Sequence, residues 1–274
     1  MLRFTSCQAE IAEPFCRALA AFIGDKLAIP SEFIGDIPWQ ERERLLDRGD
    51  IDVCWICGLP YVRKNNSEKK TVDLLAAPVM RHPRYGGRPV YYSDVVVHAD
   101  SSLRFFEDLR GRTWAYNEPG SHSGYNLTRY HLAKEGLGAH YFGRVVESGS
   151  HENSLRMLLE HAIDATAIDS IVLEMAFTNN RSIVERIRTI TVLGPSPAPP
   201  WVVHASVSSD VLQALRQEFL FMDKDPRGQR ILEDAGMLRF APVSDYEYDP
   251  IREMERIAAS VEWSSAESGK IAKP

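Results

Sequence analysis

The chain has 274 residues, 44% hydrophobic and 26% charged, with a formal net charge of −6. That length allows one large or two modest domains of ordinary soluble globular composition. The acidic balance and scattered Lys and Arg exclude the basic face of a nucleic-acid binder, and no run of about 18 apolar residues exists to span a membrane.

Strands and helices alternate from the start. Leu2–Cys7 reads as a strand. It lacks the basic start, apolar stretch and cleavage site of a signal peptide. This predicts a cytoplasmic chain as written, or a periplasmic one if a signal has been removed. Apolar residues at helical spacing over Glu10–Leu27 predict a helix, and Trp39–Arg48 a charged amphipathic one. Ile51–Ile56, Val72–Pro78 and Val90–His98 predict strands. Ser101–Arg110 is expected to be helical, ending at Gly111. Thr113–Tyr116 is a strand that leads through the loop Asn117–Gly124 into a helix over Tyr125–Glu135. Strands at Tyr141–Val146 and Asp164–Ile168 flank a helix at Glu152–His161, and a helix is expected at Ser170–Asn179. Arg188–Leu193 is a strand, Gly194–Pro200 a stiff connection, and Trp201–Val207 a strand. Further helices are predicted at Ser209–Met222, Pro226–Ala235 and Pro250–Ser260, and the tail after Trp263 is expected to fray.

The segment Leu45–Val53 echoes Leu158–Ala165: each is a helix turning sharply into a strand that begins at an Asp. The echo points to two similar α/β lobes, with mainly parallel sheets covered by helices.

Cys7, Cys16, Cys54 and Cys57 are too few for a disulfide scaffold at this length. Cys54 and Cys57 form a C-x-x-C inside an apolar strand that runs into a turn. Nothing nearby completes a metal set, so structural or pocket cysteines are expected, with no metal and no cofactor.

Two loops carry the candidate chemistry. In Asn117–Gly124 a strand ends, a Pro-Gly turn comes next, and a helix begins after Ser121-His122-Ser123-Gly124. Unpaired amides at a helix N-terminus carry partial positive charge, so hydroxyls there either cap the helix or bond an anion. The loop Glu147–Ser154 repeats the arrangement, with His151 at the helix entry. Asp169, at the end of an apolar strand, either meets a ligand donor or caps the next helix. Trp39, Trp55, Tyr91 and Trp201 either wall a pocket or pack in a core, and Trp55, in mid-strand, is the strongest core candidate.

In this order the motifs resemble the phosphonate/phosphate/phosphite-type substrate-binding proteins of ABC transporters. The matching stretches are Gly49-Asp-Ile-Asp-Val-Cys-Trp55, Tyr91-Tyr-Ser-Asp-Val-Val, Asp108-Leu-Arg-Gly111, Pro119-Gly-Ser-His-Ser-Gly124, Gly149-Ser-His-Glu152 and Ile163-Asp-Ala-Thr-Ala167. The resemblance spans roughly residues 2–245. It implies a type II periplasmic-binding-protein fold: two Rossmann-like α/β lobes joined by a two-segment hinge, with the ligand in the cleft. Lobe one is then 1–90 plus 195–274, and lobe two 91–194. The resemblance places Ser121, His122, Ser123 and Gly124 on an oxyanion, with His151, Tyr91 and Trp39 as further contacts.

The chain departs from the aminoalkylphosphonate pattern at Ile56, at His122 and in the carboxylate-free stretch before Trp201. The resemblance therefore implies a shared anion grip with a pocket rebuilt around Cys57, Trp201 and His122, and with Asp169 near a further polar ligand position. The expected function is non-enzymatic: a monomer capturing a small anionic ligand for an ABC permease or a sensor. The alternative is a cytoplasmic lyase or biosynthetic enzyme on the same fold, with His151, His122, Asp169 and Cys57 as its acid, base or nucleophile.

Overall fold

The computed structural model describes residues 1–67 and 70–263. They form two compact units. The first comprises Met1–Val90 and Pro197–Asp249; the second comprises Tyr91–Ser196 and the segment from Pro250 onward.

In chain order the first unit holds β1 (Leu2–Ser6), α1 (Glu13–Leu27), β2 (Ser31–Phe33), α2 (Trp39–Arg48), β3 (Val53–Trp55), α3 (Gly58–Asn65) and β4 (Val72–Met80). The second unit holds β5 (Val90–His98), β6 (Thr113–Tyr116), α4 (Leu127–Lys134), β7 (Arg144–Glu147), α5 (His151–Leu159), β8 (Ala165–Asp169), α6 (Ser170–Asn179), α7 (Ser182–Arg186) and β9 (Ile187–Pro197). The chain then returns to the first unit for β10 (Trp201–His204), α8 (Ser209–Leu220), α9 (Pro226–Asp234) and β11 (Met237–Ala241). It ends its described part with α10 (Asp249–Ala258).

The first sheet has the order β11-β4-β10-β3-β1-β2. Its centre is β3, buried at all three positions. Strand β1 pairs parallel with β2 and β3, whereas β10 runs antiparallel to β3 and β4, as does β11 to β4. Helix α1 turns Phe15, Leu19, Phe22 and Ile23 inward, as their spacing dictates. The second sheet has the order β7-β6-β8-β5-β9. Here β6 is parallel to β7 and β8, and β5 is antiparallel to β8. Trp114 stacks on Phe142 at 4.7 Å in its core.

The sheets are therefore mixed rather than mainly parallel. Parallel pairing needs a crossover connection within the sheet. Strands β5 and β10 each enter directly from the other unit, with no such crossover imposed on them.

The C-terminal helix corrects the expected lobe boundary. Helix α10 and the described residues after it, up to Trp263, pack within the second unit, not the first. Val261 is buried in that unit's core, Arg129 Nε donates to its carbonyl at 2.5 Å, and Trp263 stands 5.4 Å from Tyr116 and 5.3 Å from Tyr125. The amphipathic stripe of α10 specifies burial but not the surface that provides it. The expectation for the tail after Trp263 lies outside the described residues.

The predicted helix over Ser101–Arg110 is instead a loop with one 3-10 turn at Phe106–Leu109. Its carbonyls are otherwise engaged: Arg188 donates to those of Ala99, Ser101 and Leu103 at 2.7–2.9 Å. Asp108 accepts from the amides of Arg104 and Phe105. A backbone held this way cannot form the i→i+4 ladder. Strands β2 and β11 and helices α3 and α7 carry no strong periodic signal and escape the sequence reading. Strand β9 extends into the predicted connection as far as Pro197.

The echo between Leu45–Val53 and Leu158–Ala165 is a repeated helix ending. Gly49 N donates to Leu46 O and Asp50 N to Leu45 O. Likewise His161 N donates to Leu158 O and Ala162 N to Met157 O. Gly49 and His161 occupy the same left-handed position, at φ 78° and 57°.

In the first unit a single buried cation gathers four segments. The Arg42 side chain is 5% exposed and lies 2.6 Å from Glu13. It donates to the carbonyls of Ile37 at 2.7 Å and Ser6 at 3.0 Å, and also to that of Gly35. Arg42→Ala would leave Glu13 with only the half-exposed Arg17 as an ion-pair partner, at 3.6 Å, and three carbonyls short of a donor, at an expected loss of about 3 kcal/mol. A urea-unfolding midpoint unchanged in that variant would contradict this reading.

Candidate functional site

The second unit brings the two sequence-predicted loops together. Strand β6 ends at Tyr116, and Asn117 begins the loop. Ser121 caps the turn at its far end, its Oγ accepting from Gly124 N at 3.0 Å. His122–Asn126 is a π-helical turn that closes with Asn126 N donating to Ser121 O at 3.0 Å and continues into α4. Parallel to β6, β7 ends in the second loop. There Ser148 N donates to Tyr116 O at 2.9 Å and Gly149 N to Asn117 O at 2.8 Å. Gly149 needs its φ of 88° for this turn. Ser150 then caps α5 by accepting from Asn153 N at 3.0 Å, which sets His151 at the first helical position.

The result is a cluster of buried polar side chains. The hydroxyls of Ser121 and Ser123 lie 3.4 Å apart. Ser123 Oγ lies 3.0 Å from His151 Nε2, and Ser93 Oγ donates to Ser123 O at 2.9 Å. Two buried atoms of the cluster lack a hydrogen-bond partner among the described residues: His151 Nδ1 and Asn117 Oδ1. A Cβ at Gly124 would collide with Asn117 Oδ1 and meet His151 Cε1 at 3.2 Å. Glycine is therefore required for the close approach of the two loops.

Burial pushes the His151 imidazole down to about 4 and that of His122 to about 3. Near neutral pH both rings are uncharged, so any grip on an anion comes from hydroxyls, amide dipoles and one neutral imidazole.

The ring of His122 is not available for that grip. Asn126 Nδ2 donates to His122 Nδ1 at 3.1 Å. The neutral ring then carries its proton on Nε2, which reaches Ser196 Oγ at 3.0 Å. Both nitrogens are engaged inside the unit. The His122 ring thus bridges Asn126 and Ser196 within the unit.

Asp169 caps α6, its Oδ1 accepting from Ile171 N at 2.8 Å. It pairs across β5 with Ser93, the residue that holds Ser123. Burial, then the neighbouring Asp94 and Glu174 charges, push its carboxyl up to about 7 against the hydrogen bonds of the cap. Tyr91 is buried with its ring 6.4 Å from that of His122.

The remaining predicted residues lie in the first unit. Trp39 is half-buried at the start of α2, and Cys57 is half-buried immediately before α3. Trp201 is fully buried, stacked on Trp55 at 5.7 Å and packed against Phe219 at 5.4 Å. Its place is the core, beside Trp55. All four cysteines are free. Cys54 has Cys7 Sγ as its sulfur neighbour at 3.8 Å, and burial pushes its thiol well up, which makes it a poor nucleophile.

Sequence reasoning did not single out Asn117, Ser93, Asn126 or Ser196. Asn117 stands at the strand end, the position most exposed to such use, but its meaning depends on Gly124 and His151 packing over it.

The shifted groups oppose one another in pH dependence. The two histidines bind protons in the unfolded chain between about pH 6.5 and 4 but not in the folded one, so they withdraw stability as pH falls through that window. Asp169 does the reverse. Folded, it keeps its proton up to about pH 7; unfolded, it loses it near the ordinary carboxylate value, so its contribution falls as pH rises between the two. Asp169→Asn, which can keep the cap, is expected to gain on the parent in unfolding free energy as pH rises from about 4 to 7. A difference that stays flat over that range would show Asp169 to be ionised in the fold.

Residues 8–248 match the family described as ABC transporter, phosphonate, periplasmic substrate-binding protein. The phosphonates-binding periplasmic protein of Escherichia coli (strain K12) is 27% identical over 176 residues, 61% of this chain and 51% of that protein. The match thus spans about half the length of that relative. Among solved structures, the binding-protein component of an ABC phosphonate transporter of Pseudomonas aeruginosa shares the fold at a TM-score of 0.83 and 17% identity, covering 94% of this chain and 86% of that one. PhnD1 of Prochlorococcus marinus (MIT 9301), solved with methylphosphonate, has a TM-score of 0.82 and 18% identity over 95% and 98% of the two chains. A Xanthomonas citri protein solved with ATP has a TM-score of 0.70 and 19% identity, over 95% and 99% of the two chains. The architecture is therefore the two-lobed α/β periplasmic-binding fold with mixed sheets. On the span of the family match, this chain belongs to the periplasmic phosphonate substrate-binding proteins of ABC transporters.

Proposed function

We propose that the protein captures a small phosphonate- or phosphate-like oxyanion and delivers it to the permease of an ABC importer, working as a monomer in the periplasm. The observation that carries this is the Ser121–Ser123–His151 cluster at two helix starts, with His151 Nδ1 and Asn117 Oδ1 buried and without partners. A buried polar atom without a partner costs about 1–3 kcal/mol, and a bound ligand would supply what is missing. The oxyanion would accept from the Ser121 hydroxyl, from amides at the start of the π-turn and from His151 in its Nδ1–H tautomer, which Ser123 fixes by donating to Nε2. Asn117 Oδ1 would accept from a ligand hydroxyl, so it favours a ligand that still carries one proton. Tyr91 and Trp39 remain proposed contacts, carried by the family resemblance, and Cys57 remains one at a position where this chain departs from it. In this reading Trp201 packs in the core of the first unit, the His122 ring positions the loop, and Asp169 caps α6 beside Ser93.

Delivery needs a separate permease, since none of the described helices is long and apolar enough to cross a membrane. The enzyme reading has no support from the family, whose members bind rather than convert. Ser123 and His151 stand at nucleophile–base distance, but a base in such a pair is oriented by a third group, and His151 Nδ1 has none among the described residues.

Methylphosphonate and inorganic phosphate, added separately, test the proposal by calorimetry and thermal shift. At least one should bind saturably and raise the melting temperature. Hydrogen bonds to a charged group are worth about 1.5–3 kcal/mol each, so Ser121→Ala with Ser123→Ala should weaken binding by about 100-fold or more. Full affinity in the double variant would reduce the loop to a helix cap.

A further inference from the structure

A second cluster lies at the other end of α5, about 15 Å along the helix axis from His151. His98 ends β5, Asp100 sits in the turn just beyond it, and His161 closes the C-terminus of α5. One ligating atom from each lies within 4.8 Å of the others. His98 Nδ1 is 2.6 Å from Asp100 Oδ1, and His161 Nε2 is 3.9 Å from Asp100 Oδ2. The two imidazoles stand close but tilted, their centroids 4.0 Å apart and their planes 39° apart. One carboxylate thus stands beside both imidazoles.

We propose that His98, Asp100 and His161 form a surface site for a divalent transition-metal ion of the Zn2+ class. Two imidazole nitrogens and one carboxylate oxygen are a set that such ions take, with water in the remaining position. Three ligands on a tetrahedral ion stand about 3.4 Å apart. The cluster reaches that by small rotations of Asp100 and His161, whose side chains are 68% and 59% exposed. The same donors suit Mg2+ and Ca2+ poorly, since those ions want oxygen.

The frame beneath the cluster is held from both sides. Ser101 N donates to His98 O at 3.0 Å and Ala99 N to Arg186 O at 2.8 Å. Arg188 Nη1 donates to Ala99 O at 2.7 Å. Arg186 Nη2 donates to Leu159 O at 3.0 Å and so ties α5 to the same frame. These guanidinium groups are spent on carbonyls, and they fix where the two histidines start from.

His161 supplies a separate observation. It takes the left-handed position at which α2 ends in Gly49. A residue with a Cβ costs about 1–2 kcal/mol there. A glycine would complete the same helix ending freely, so the imidazole is present at an energetic disadvantage, as residues with a binding role often are.

His161→Gly is the discriminating variant, because glycine suits that backbone and the fold survives. Tag-free protein is titrated with Zn2+ by calorimetry and with Co2+ by visible absorption, with Mg2+ as control. The parent should bind one Zn2+ per chain, give the absorption of Co2+ bound through nitrogen and oxygen, and ignore Mg2+. Affinity should fall by about tenfold or more in His161→Gly and in His98→Ala, while methylphosphonate or phosphate binding stays as in the parent. No saturable Zn2+ binding up to about 100 µM, or Zn2+ binding unchanged in His161→Gly, would overturn the site. The second result would assign the metal to the cysteines or to other histidines.

Discussion

Buried polar groups must find partners, and the second unit is organised around that requirement. Asn117, Ser121, His122, Ser123, Asn126 and His151 all lie within two adjoining loops, each at most 8% exposed. In an apolar interior each would cost free energy unless paired. The parallel pairing of β6 with β7 brings the loops to the same sheet edge. Ser148 and Gly149 then tie one backbone to the other. Within this cluster, what stays unpaired among the described residues is confined to His151 Nδ1 and Asn117 Oδ1.

The same requirement explains why the grip is neutral. Burial that excludes water also discharges the imidazoles of His122 and His151. On a protein of net charge −6, the cluster then offers oriented dipoles rather than long-range attraction. Such dipoles act over short distances and are strongest where water is absent. The first unit shows the opposite use of a charge. Arg42 is buried and wholly consumed by Glu13 and three carbonyls, so it holds segments together and leaves nothing for a ligand.

The two helix-to-strand turns share one hydrogen-bonding pattern but differ in the left-handed residue. Gly49 adopts φ 78° without a side chain to place. His161 adopts φ 57° and brings an imidazole beside Asp100 and His98. Helix α5 thus begins beside the Ser121–Ser123 cluster and ends beside an Asp100 carboxylate and a second imidazole.

Much of this was legible beforehand. The Pro-Gly turn before Ser-His-Ser-Gly marks a strand-to-helix corner, Gly149-Ser-His151 marks a second one, and the order of motifs points to the family. Periodicity placed α1, α2, β5, α8 and α10, because hydrophobic spacing is a local property. The sequence could not choose between Asp169 as cap and Asp169 as ligand contact, because both need a carboxylate at a strand end. Nor could it reveal that the His122 nitrogens are taken, since Ser196 is 74 residues away. Trp201 and Trp55 stack only once β10 has entered antiparallel beside β3. The Ser101–Arg110 helix failed because Arg188, remote in sequence, takes its carbonyls. Residue types and spacing thus determined the elements and the loops able to meet an anion. The tertiary structure decided which polar atoms are already satisfied, because the partner of a buried group is set by packing between distant segments.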